Sequence, residues 1–471
     1  MIDEQDRTFD FVVIGAGIVG AAVARELAAT RHSVAMLEAR DDIGDGTSKA
    51  NTAILHTGFD AKPGTLESRM VARGYELLGA YAERTGIPVE RTGALLVAWT
   101  DEELDALPGL KDKAEQNGYD RCRIATAEDV YTQVPDLGPG ALGGLSVPDE
   151  SIICTWTTNL ALASEAVERG VTLLTGHRVE AVERYGPHSR LLTSQGPVVA
   201  RWVVNAAGLG SDWIDRAFGY DRFTVTPRRG ELFVFDKLAR AKVPKIVLPV
   251  PSSKGKGVLV SPTIYGNVML GPTAEDLEDR EATGTSEQGF DFLLTKGERL
   301  MPTLLQEEVT ASYAGLRAAT EHGDYVVELD PDHRYVVLGG IRSTGLTAGM
   351  ALAEHTMGML AAAEVDVSPR PEALPPAPRM PNIGEAGVRP YQDAERIERD
   401  PAYGSVVCFC ERVTRGEVRD AFASTVPPVS MEGLRRRTRL MNGRCQGFFC
   451  GANVQALLES RGSTSDLEGG A

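Results

Sequence analysis

The chain has 471 residues, which is too long for a single hydrophobic core and corresponds to about three folding units. Charged residues make up 24% and apolar residues 42%, so the chain can form packed cores and is not intrinsically disordered. The net charge of -17 repels nucleic acid and anionic lipid, which are therefore poor candidate partners. The acidic N-terminus lacks the basic region of a signal peptide, and no apolar run approaches about 18 residues. We therefore expect a cytoplasmic protein without a membrane span.

The first predicted elements form a strand–helix–strand unit. The segment FDFVVIGAGIVGAAVARELAATRHSVAMLEAR changes from an apolar run to a helical pattern and ends in a second strand. Gly15, Gly17 and Gly20 form GxGxxG after the first strand, where backbone amides can approach a pyrophosphate at a helix N-terminus. Glu38 ends the second strand, where a carboxylate can accept hydrogen bonds from ribose hydroxyls. The unit predicts FAD or NAD binding; the alternative is a glycine turn that only packs a helix on a sheet.

Farther along the chain, helical spacing begins at Pro63 and ends near Gly86, and the strand TGALLVAW follows. Helix and strand patterns alternate again from Thr155 to the strand VVNAAG, so the first domain resumes after an insertion. Residues 223–345 are richer in alternating strand-like pieces, which predict an antiparallel sheet, and GLTAGMALAEHTMGMLAAAEV then predicts a helix.

The C-terminal part holds a cysteine cluster. Cys408 and Cys410 form C-x-C, and Cys445 and Cys450 form C-x4-C after a gap of 34 residues. Four thiolates at two turns suit one metal centre, and the spacing alone leaves zinc and a [2Fe-2S] cluster open. The neighbouring Arg435, Arg436, Arg437 and Arg439 either balance the negative charge of the thiolates or form a solvated helix face. Cys122 and Cys154 stand alone, and we expect them to be apolar fillers.

Five segments, in this order, resemble the D-amino-acid-oxidase-like superfamily of flavoproteins: GDGTSKANTAILHTGFDAKPGTL, VVNAAGLGSDWI, LGPTAEDLEDR, YAGLR and GGIRSTGLTAGMALA. Over residues 8–365 the chain most resembles glycerol-3-phosphate dehydrogenases and oxidases, and the related L-2-hydroxyglutarate oxidases. The cysteine cluster, with TRGEVRDA and RRRTR, resembles the bacterioferritin-associated-ferredoxin-like domain of anaerobic glycerol-3-phosphate dehydrogenase large subunits. That resemblance favours a [2Fe-2S] cluster over structural zinc.

The resemblance implies an α/β protein in which an FAD-binding Rossmann-like domain carries an inserted antiparallel-sheet substrate domain, followed by a small iron–sulfur domain with four cysteine ligands. The expected FAD-binding domain comprises residues 8–85, 150–222 and 330–365, and the expected substrate domain comprises residues 86–149 and 223–329. Residues 366–402 carry eight prolines and are expected to be a linker. Residues 403–460 are expected to bind the [2Fe-2S] cluster, and residues 461–471 to form a mobile tail.

The resemblance also implies the cofactor-binding residues. The ADP half of FAD is expected at Gly15, Gly17, Gly20, Glu38 and Val179, the flavin end at Thr47, Ser48 and Asn51, the pocket wall at Gly208, and the pyrimidine ring at Gly340, Gly345 and Leu346. A physical argument supports the last placement. The segment GLTAGMALAEH begins a helix, and a helix N-terminus stabilises negative charge on the reduced flavin.

For catalysis, the resemblance implies that His56, in LHTG, is the general base, because an imidazole can accept the hydroxyl proton at neutral pH. A histidine satisfied in the core or on the surface is the alternative. Lys256, Arg317 and Arg342 are expected to bind the anionic group of the substrate, with Lys256 and Arg317 also acting in catalysis. Solvated surface charges are the alternative for these three. Thr52 is also expected to bind the substrate; it stands where the glycerophosphate relatives often have serine four residues before the histidine, which leaves the substrate's identity open.

The expected function is FAD-dependent oxidation of a small anionic 2-hydroxy compound, preferably sn-glycerol 3-phosphate, to glycerone phosphate. Electrons would then leave through the cysteine-bound centre to a separate acceptor protein or partner subunit. Oxidation of L-2-hydroxyglutarate or another 2-hydroxy acid, or of an opine-type amine, is the alternative on the same scaffold. An electron-transfer subunit that binds no small substrate is a further alternative.

Overall fold

The computed structural model describes residues 7–251 and 257–460. Its strands are β1 Arg7–Ile14, β2 Val34–Leu37, β3 Ile54–Leu55, β4 Val89–Glu90, β5 Ala94–Ala98, β6 Arg123–Thr126, β7 Gly143–Val147, β8 Ser151–Ile153, β9 Thr172–Leu174, β10 Val179–Tyr185, β11 His188–Thr193, β12 Gly196–Asn205, β13 Thr226–Phe235, β14 Ile246–Pro249, β15 Leu259–Pro262, β16 Val268–Gly271, β17 Glu275–Asp276, β18 Val309–Ala319, β19 Val326–Asp330, β20 Tyr335–Gly339, β21 Val406–Cys408 and β22 Val413–Thr414.

The helices are α1 Ile18–Leu27, α2 Leu66–Thr85, α3 Asp101–Gln116, α4 Ala127–Gln133, α5 Thr155–Glu168, α6 Ser211–Ala217, α7 Glu287–Leu300, α8 Gly345–Ala362, α9 Ala394–Arg399, α10 Arg415–Phe422, α11 Met431–Thr438 and α12 Gly451–Glu459. In the part of the chain that the structure describes, none of these helices has the length and apolar character needed to cross a membrane. Lys256 and the tail of residues 461–471 lie outside the described residues.

An eight-stranded sheet has β1 at its centre, in the order β10-β11-β12-β1-β2-β9, with β20 on β12 and β19 on β20. β1 runs parallel to both β2 and β12. The second half of β1 and all of β2 are buried, as expected for parallel strands covered on both faces. Helices α1, α5 and α8 contribute to the core on one face. Because β1, β2 and β12 are parallel, their carboxyl ends meet at one edge of the sheet, where α/β proteins bind ligands.

A second, nine-stranded sheet has the order β17-β13-β16-β15-β14-β5-β7-β6, with β18 on β13. Its pairs are antiparallel except β14 with β5. This sheet has a core of its own, which includes Phe235, Val260 and Leu270. The α/β architecture with a separate antiparallel sheet, predicted from the sequence, is confirmed.

A small sheet of β3, β8 and β4 brings distant parts of the chain together. β3 pairs antiparallel with β8, with Leu55 opposite Ser151. The residue after β3 is His56 and the residue before β8 is Glu150, so this register places the two side chains next to each other.

Residues 406–460 form a separate unit with its own core, which includes Val407, Val413, Leu434 and Val454. The preceding segment is tied to the body of the protein by backbone hydrogen bonds: Arg370 donates to Ala29, Met380 to Thr85 and Glu385 to Ile264. The chain therefore reaches the C-terminal unit along a fixed route.

Candidate functional site

A cavity of about 370 Å³ lies at the carboxyl edge of the eight-stranded sheet. Most of the residues predicted to bind cofactor or substrate line it: Gly15, Gly17, Glu38, Thr47, Ser48, Asn51, Thr52, Val179, Gly208, Arg317, Arg342, Gly340, Gly345 and Leu346. Gly20 and His56 are not part of the lining. The structure thus brings together residues that are up to about 330 positions apart in the sequence. They meet because the parallel strands end at one edge of the sheet.

Two glycines shape the turn between β1 and α1. Gly15 has a φ of 104°, and a Cβ on it would lie 2.5 Å from the carbonyl oxygen of Ala206. A Cβ on Gly20 would lie 1.9 Å from the carbonyl oxygen of Gly15. Gly20 therefore allows α1 to pack against the turn, while Gly15 and Gly17 lie at the cavity. Gly17, the N-cap residue of α1, has no side chain to cap the helix, and its positive end is suited to an anionic pyrophosphate.

Glu38 is held at the end of β2 by two backbone amides. The N–H of Ala16 donates to Oε2 at 3.0 Å, and the N–H of Arg40 donates to Oε1 at 2.9 Å. Burial raises the pKa of Glu38, although these two hydrogen bonds act in the opposite direction. The carboxylate lies where the ribose of a dinucleotide is bound in this fold.

The loop after β2 lines the cavity and is hydrogen-bonded to α1, to α5 and to strand β18. The Oγ of Ser48 accepts a hydrogen bond from the N–H of Ile18 at 3.0 Å, and the Oγ1 of Thr47 donates to the carbonyl of Leu316 at 2.8 Å. Asn51 accepts a hydrogen bond from Thr155 at 3.1 Å. The three residues predicted to contact the flavin are therefore each held by a hydrogen bond within the chain.

Sequence reasoning missed Thr155 and Asn159, which line the cavity from the first turns of α5. The Nδ2 of Asn159 donates to the carbonyl of Ala16 at 3.3 Å, whereas its buried Oδ1 has no hydrogen-bond partner among the described residues. An unpaired buried amide oxygen at a cavity calls for a donor from a ligand, such as a hydroxyl group of FAD. The i,i+4 spacing of two polar residues in the apolar helix TWTTNLALASEAVERG is the signal that could have revealed them.

The opposite end of the cavity is formed by the loop before α8 and the first residues of that helix, including Gly340, Gly345 and Leu346. Thr344, the N-cap residue of α8, makes no capping hydrogen bond with its side chain. The positive end of α8 therefore faces the cavity and can stabilise negative charge there.

Arg317 is half-buried on β18 at the cavity wall. Its Nη2 donates to the carbonyl of Thr273 at 2.7 Å, and longer bonds reach the carbonyls of Arg228 and Arg229; in residues 7–251 and 257–460 it bonds to no carboxylate. Burial, with the neighbouring Arg228, lowers the pKa of Arg317 to about 10, which still leaves it charged at neutral pH. A half-buried guanidinium that makes its described hydrogen bonds to backbone carbonyls is suited to an anionic ligand.

The other predicted anion-binding residues differ from Arg317. Arg342 lines the cavity, but its Nη2 donates to the carboxylate of Glu67 at 2.7 Å, so much of its charge is already neutralised. Thr52 lines the cavity without a charge. The roles of these residues, like that of Lys256, stay predictions.

His56 lies beside the first turn of α8, whose residues Gly345 and Leu346 line the cavity. Its backbone N–H donates to the Oγ1 of Thr347, the residue after Leu346, at 3.0 Å. Its ring Nδ1 lies 3.1 Å from Oε2 of Glu150, and 20% of its side chain is exposed. The role of general base stays a prediction, and Glu150 is a partner that the sequence did not reveal.

The four C-terminal cysteines form two pairs, Cys410 with Cys445 and Cys408 with Cys450. All four are free thiols, and backbone N–H groups of Phe449, Gly447 and Phe448 lower the pKa of Cys445. Within the described residues, no three metal-binding side chains converge as a single ion would require. Four cysteines in two neighbouring pairs can supply the four thiolate ligands of a two-iron cluster.

The arginines beside the cysteines dock the C-terminal unit onto the rest of the protein. Arg436 and Arg437 are buried and both pair with Asp42, in the loop after β2. Arg439 is buried, pairs with Glu411 at 3.0 Å, and lies over the ring of Tyr265. The interpretation of these three residues as a solvated helix face is wrong, because their charges are paired with carboxylates inside the protein.

A nucleotide-binding turn, a second helix N-terminus at the same cavity and a half-buried arginine are compatible with an FAD-dependent oxidoreductase. The chain belongs to the FAD dependent oxidoreductase (DAO) family, whose model matches residues 10–359. A BFD-like [2Fe-2S] binding domain matches residues 406–460. The cofactors are therefore FAD and a [2Fe-2S] cluster, as the resemblance implied.

Several characterised relatives are similar over most of the chain. A glycerol 3-phosphate dehydrogenase from Caloramator mitchellensis is 33% identical over 96% of this chain and 94% of its own. A mitochondrial L-2-hydroxyglutarate dehydrogenase from Arabidopsis thaliana is 29% identical over 74% of this chain and 82% of its own. The structure of dithionite-reduced L-α-glycerophosphate oxidase from Mycoplasma pneumoniae, with FAD bound, superposes with a TM-score of 0.73 and 27% identity, covering 78% of this chain and 98% of that one.

Proposed function

We propose that the protein oxidises sn-glycerol 3-phosphate to glycerone phosphate and passes the electrons from FAD to the [2Fe-2S] cluster and then to an acceptor protein. The observation that carries the proposal is Arg317, a half-buried cation at the cavity whose described hydrogen bonds go to backbone carbonyls alone. The similarity to the Caloramator mitchellensis dehydrogenase over 96% of this chain supports a phosphate as the anion.

The residues of the chain divide the chemistry between them. Arg317 binds the phosphate with the paired donors of its guanidinium and thereby orients the secondary alcohol. His56 takes the hydroxyl proton at its ring nitrogen Nε2. The N-terminus of α8 stabilises negative charge on the cofactor. When bound, FAD supplies the two-electron acceptor for the hydride, and the cluster supplies one-electron transfer.

The position of the C-terminal unit supports the route for the electrons. Arg436 and Arg437 hold it against the loop after β2, and Thr47 and Ser48 of the same loop line the cofactor cavity. Phe409, Phe448 and Phe449 lie between the cysteines of each turn and are exposed, which suits contact with an acceptor protein at the cluster.

Steady-state turnover with an artificial electron acceptor tests the substrate. We expect glycerol 3-phosphate to give a kcat/KM at least about 100-fold above that of uncharged glycerol. The desolvation of Arg317 by a bound substrate is compensated only if the substrate carries an anionic group. A higher kcat/KM for L-2-hydroxyglutarate or an opine would replace the proposed substrate. An absence of turnover with every hydroxy acid, phosphate and amine would favour an electron-transfer subunit.

A further inference from the structure

Glu150 is a buried carboxylate placed directly behind His56. Its side chain is 3% exposed. Its Oε2 lies 3.1 Å from Nδ1 of His56, and its Oε1 accepts hydrogen bonds from the backbone N–H of Thr57 at 2.6 Å and from the Oγ1 of Thr57 at 2.8 Å. The contact joins residues 94 positions apart and depends on the pairing of β3 with β8.

We propose that Glu150 is a positioning residue that sets the tautomer and the orientation of His56 for alcohol oxidation, an inference that rests on the proposed function. An ionised carboxylate only accepts hydrogen bonds, so the ring nitrogen facing it must carry a proton. In the neutral imidazole, Nδ1 then holds the proton and Nε2 holds the free electron pair. This is the form that a general base requires.

The same arrangement stabilises the ring after it has taken a proton. As the hydride leaves the substrate carbon for FAD, the C=O bond forms and the hydroxyl proton moves to Nε2 of His56. The ring becomes a cation next to the carboxylate of Glu150, and the carboxylate stabilises this imidazolium form of His56. The hydrogen bond from the backbone N–H of His56 to Oγ1 of Thr347 holds the backbone of His56 in place as well.

The variant Glu150→Gln tests the proposal because its side chain has nearly the same shape, but its amide nitrogen is a donor that faces His56 or Thr57, both of which already donate. We expect the rate constant for anaerobic flavin reduction by glycerol 3-phosphate to fall by about 100-fold or more, while the Kd for the substrate changes less than about threefold. Glu76→Gln, the same substitution at an exposed glutamate in α2, is the matched control and should stay within about threefold of the wild type. Glu150→Asp, which keeps the charge, should recover part of the rate.

A second readout does not depend on turnover. The chain has seven histidines, so the ¹⁵N imidazole resonances of the oxidised protein form a small set in which His56 is assigned by its loss in His56→Gln. We expect His56 to be the Nδ1–H tautomer in the wild type and to lose this preference in Glu150→Gln. An Nε2–H tautomer in the wild type, or an unchanged reduction rate in Glu150→Gln, overturns the role of Glu150. A wild-type flavin that no substrate reduces instead refutes the proposed function, and the tautomer still reports on Glu150.

Discussion

Arg437 binds Asp42 through two parallel hydrogen bonds of 2.8 Å, and this buried pair joins the C-terminal unit to the nucleotide-binding half of the protein. Arg436 adds a third bond to the same carboxylate at 2.7 Å. Burial alone would raise the pKa of Asp42, but the two guanidinium groups hold it below its usual range. Because Thr47 and Ser48 of the same loop line the cofactor cavity, the docking of the cluster-binding unit and the shape of the flavin site depend on one segment.

We expect Asp42→Ala to loosen the C-terminal unit, because it leaves the buried guanidinium of Arg437 without its carboxylate and leaves Arg436 with Asp45 as its acidic partner. Breaking a buried pair in this way costs about 3 to 5 kcal/mol. The variant should be cleaved faster by protease near residues 366–402, and its cluster should be reduced more slowly by substrate while its flavin is reduced at the normal rate. Asp41→Ala, at the exposed neighbouring residue, is the matched control and should behave as the wild type. Equal protease resistance of the two variants would contradict the docking role of Asp42.

Arg317→Leu is expected to weaken the binding of glycerol 3-phosphate. Hydrogen bonds to a charged group contribute about 1.5 to 3 kcal/mol, so kcat/KM should fall by about 10- to 100-fold, mainly through KM. Arg342→Leu is the comparison, and it should have a smaller effect because Glu67 already binds that guanidinium. Steady-state kinetics on both variants checks the order, and a larger loss in Arg342→Leu would mean that the anion binds at Arg342 instead.

Gly15→Ala should abolish FAD retention. The added Cβ would lie 2.5 Å from the carbonyl of Ala206, and the residue has a positive φ, so the turn below the pyrophosphate has to move. Gly79→Ala, in α2, meets no atom within 4 Å and is the control for the substitution itself. The ratio of flavin absorbance to protein absorbance after gel filtration measures retention, and a full complement of FAD in Gly15→Ala would refute the placement of the cofactor.

Cys410→Ser is expected to remove the [2Fe-2S] cluster and to leave FAD bound, because the cysteines and the flavin cavity lie in separate cores. Iron and acid-labile sulfide should both be lost, and substrate should still bleach the flavin but should no longer reduce a one-electron acceptor protein. Cys122→Ser, at a buried thiol outside the cluster, should keep both cofactors. One zinc ion per chain, with no sulfide in the wild type, would contradict the two-iron interpretation of the thiol pairs.

The sequence predicted the α/β fold, the cofactors and fourteen of the residues that line the cavity, because these depend on local patterns. A strand followed by Gly15 and Gly17, or two closely spaced cysteines, can be recognised within a few residues. Glu150 could not be found in this way, since its contact with His56 arises from the register of β3 on β8. The partners of Arg436 and Arg437 were equally hidden, because Asp42 is about 395 positions away in the chain and only tertiary packing joins them.

The most direct measurement is an anaerobic titration of the purified protein with glycerol 3-phosphate, followed by absorbance and by electron paramagnetic resonance. We expect the absorbance of the oxidised flavin to bleach first and the signal of the reduced [2Fe-2S] cluster to appear after it. At full reduction the flavin holds two electrons and the cluster holds one. A protein that contains flavin and cluster but keeps both oxidised at saturating glycerol 3-phosphate would contradict the proposed function.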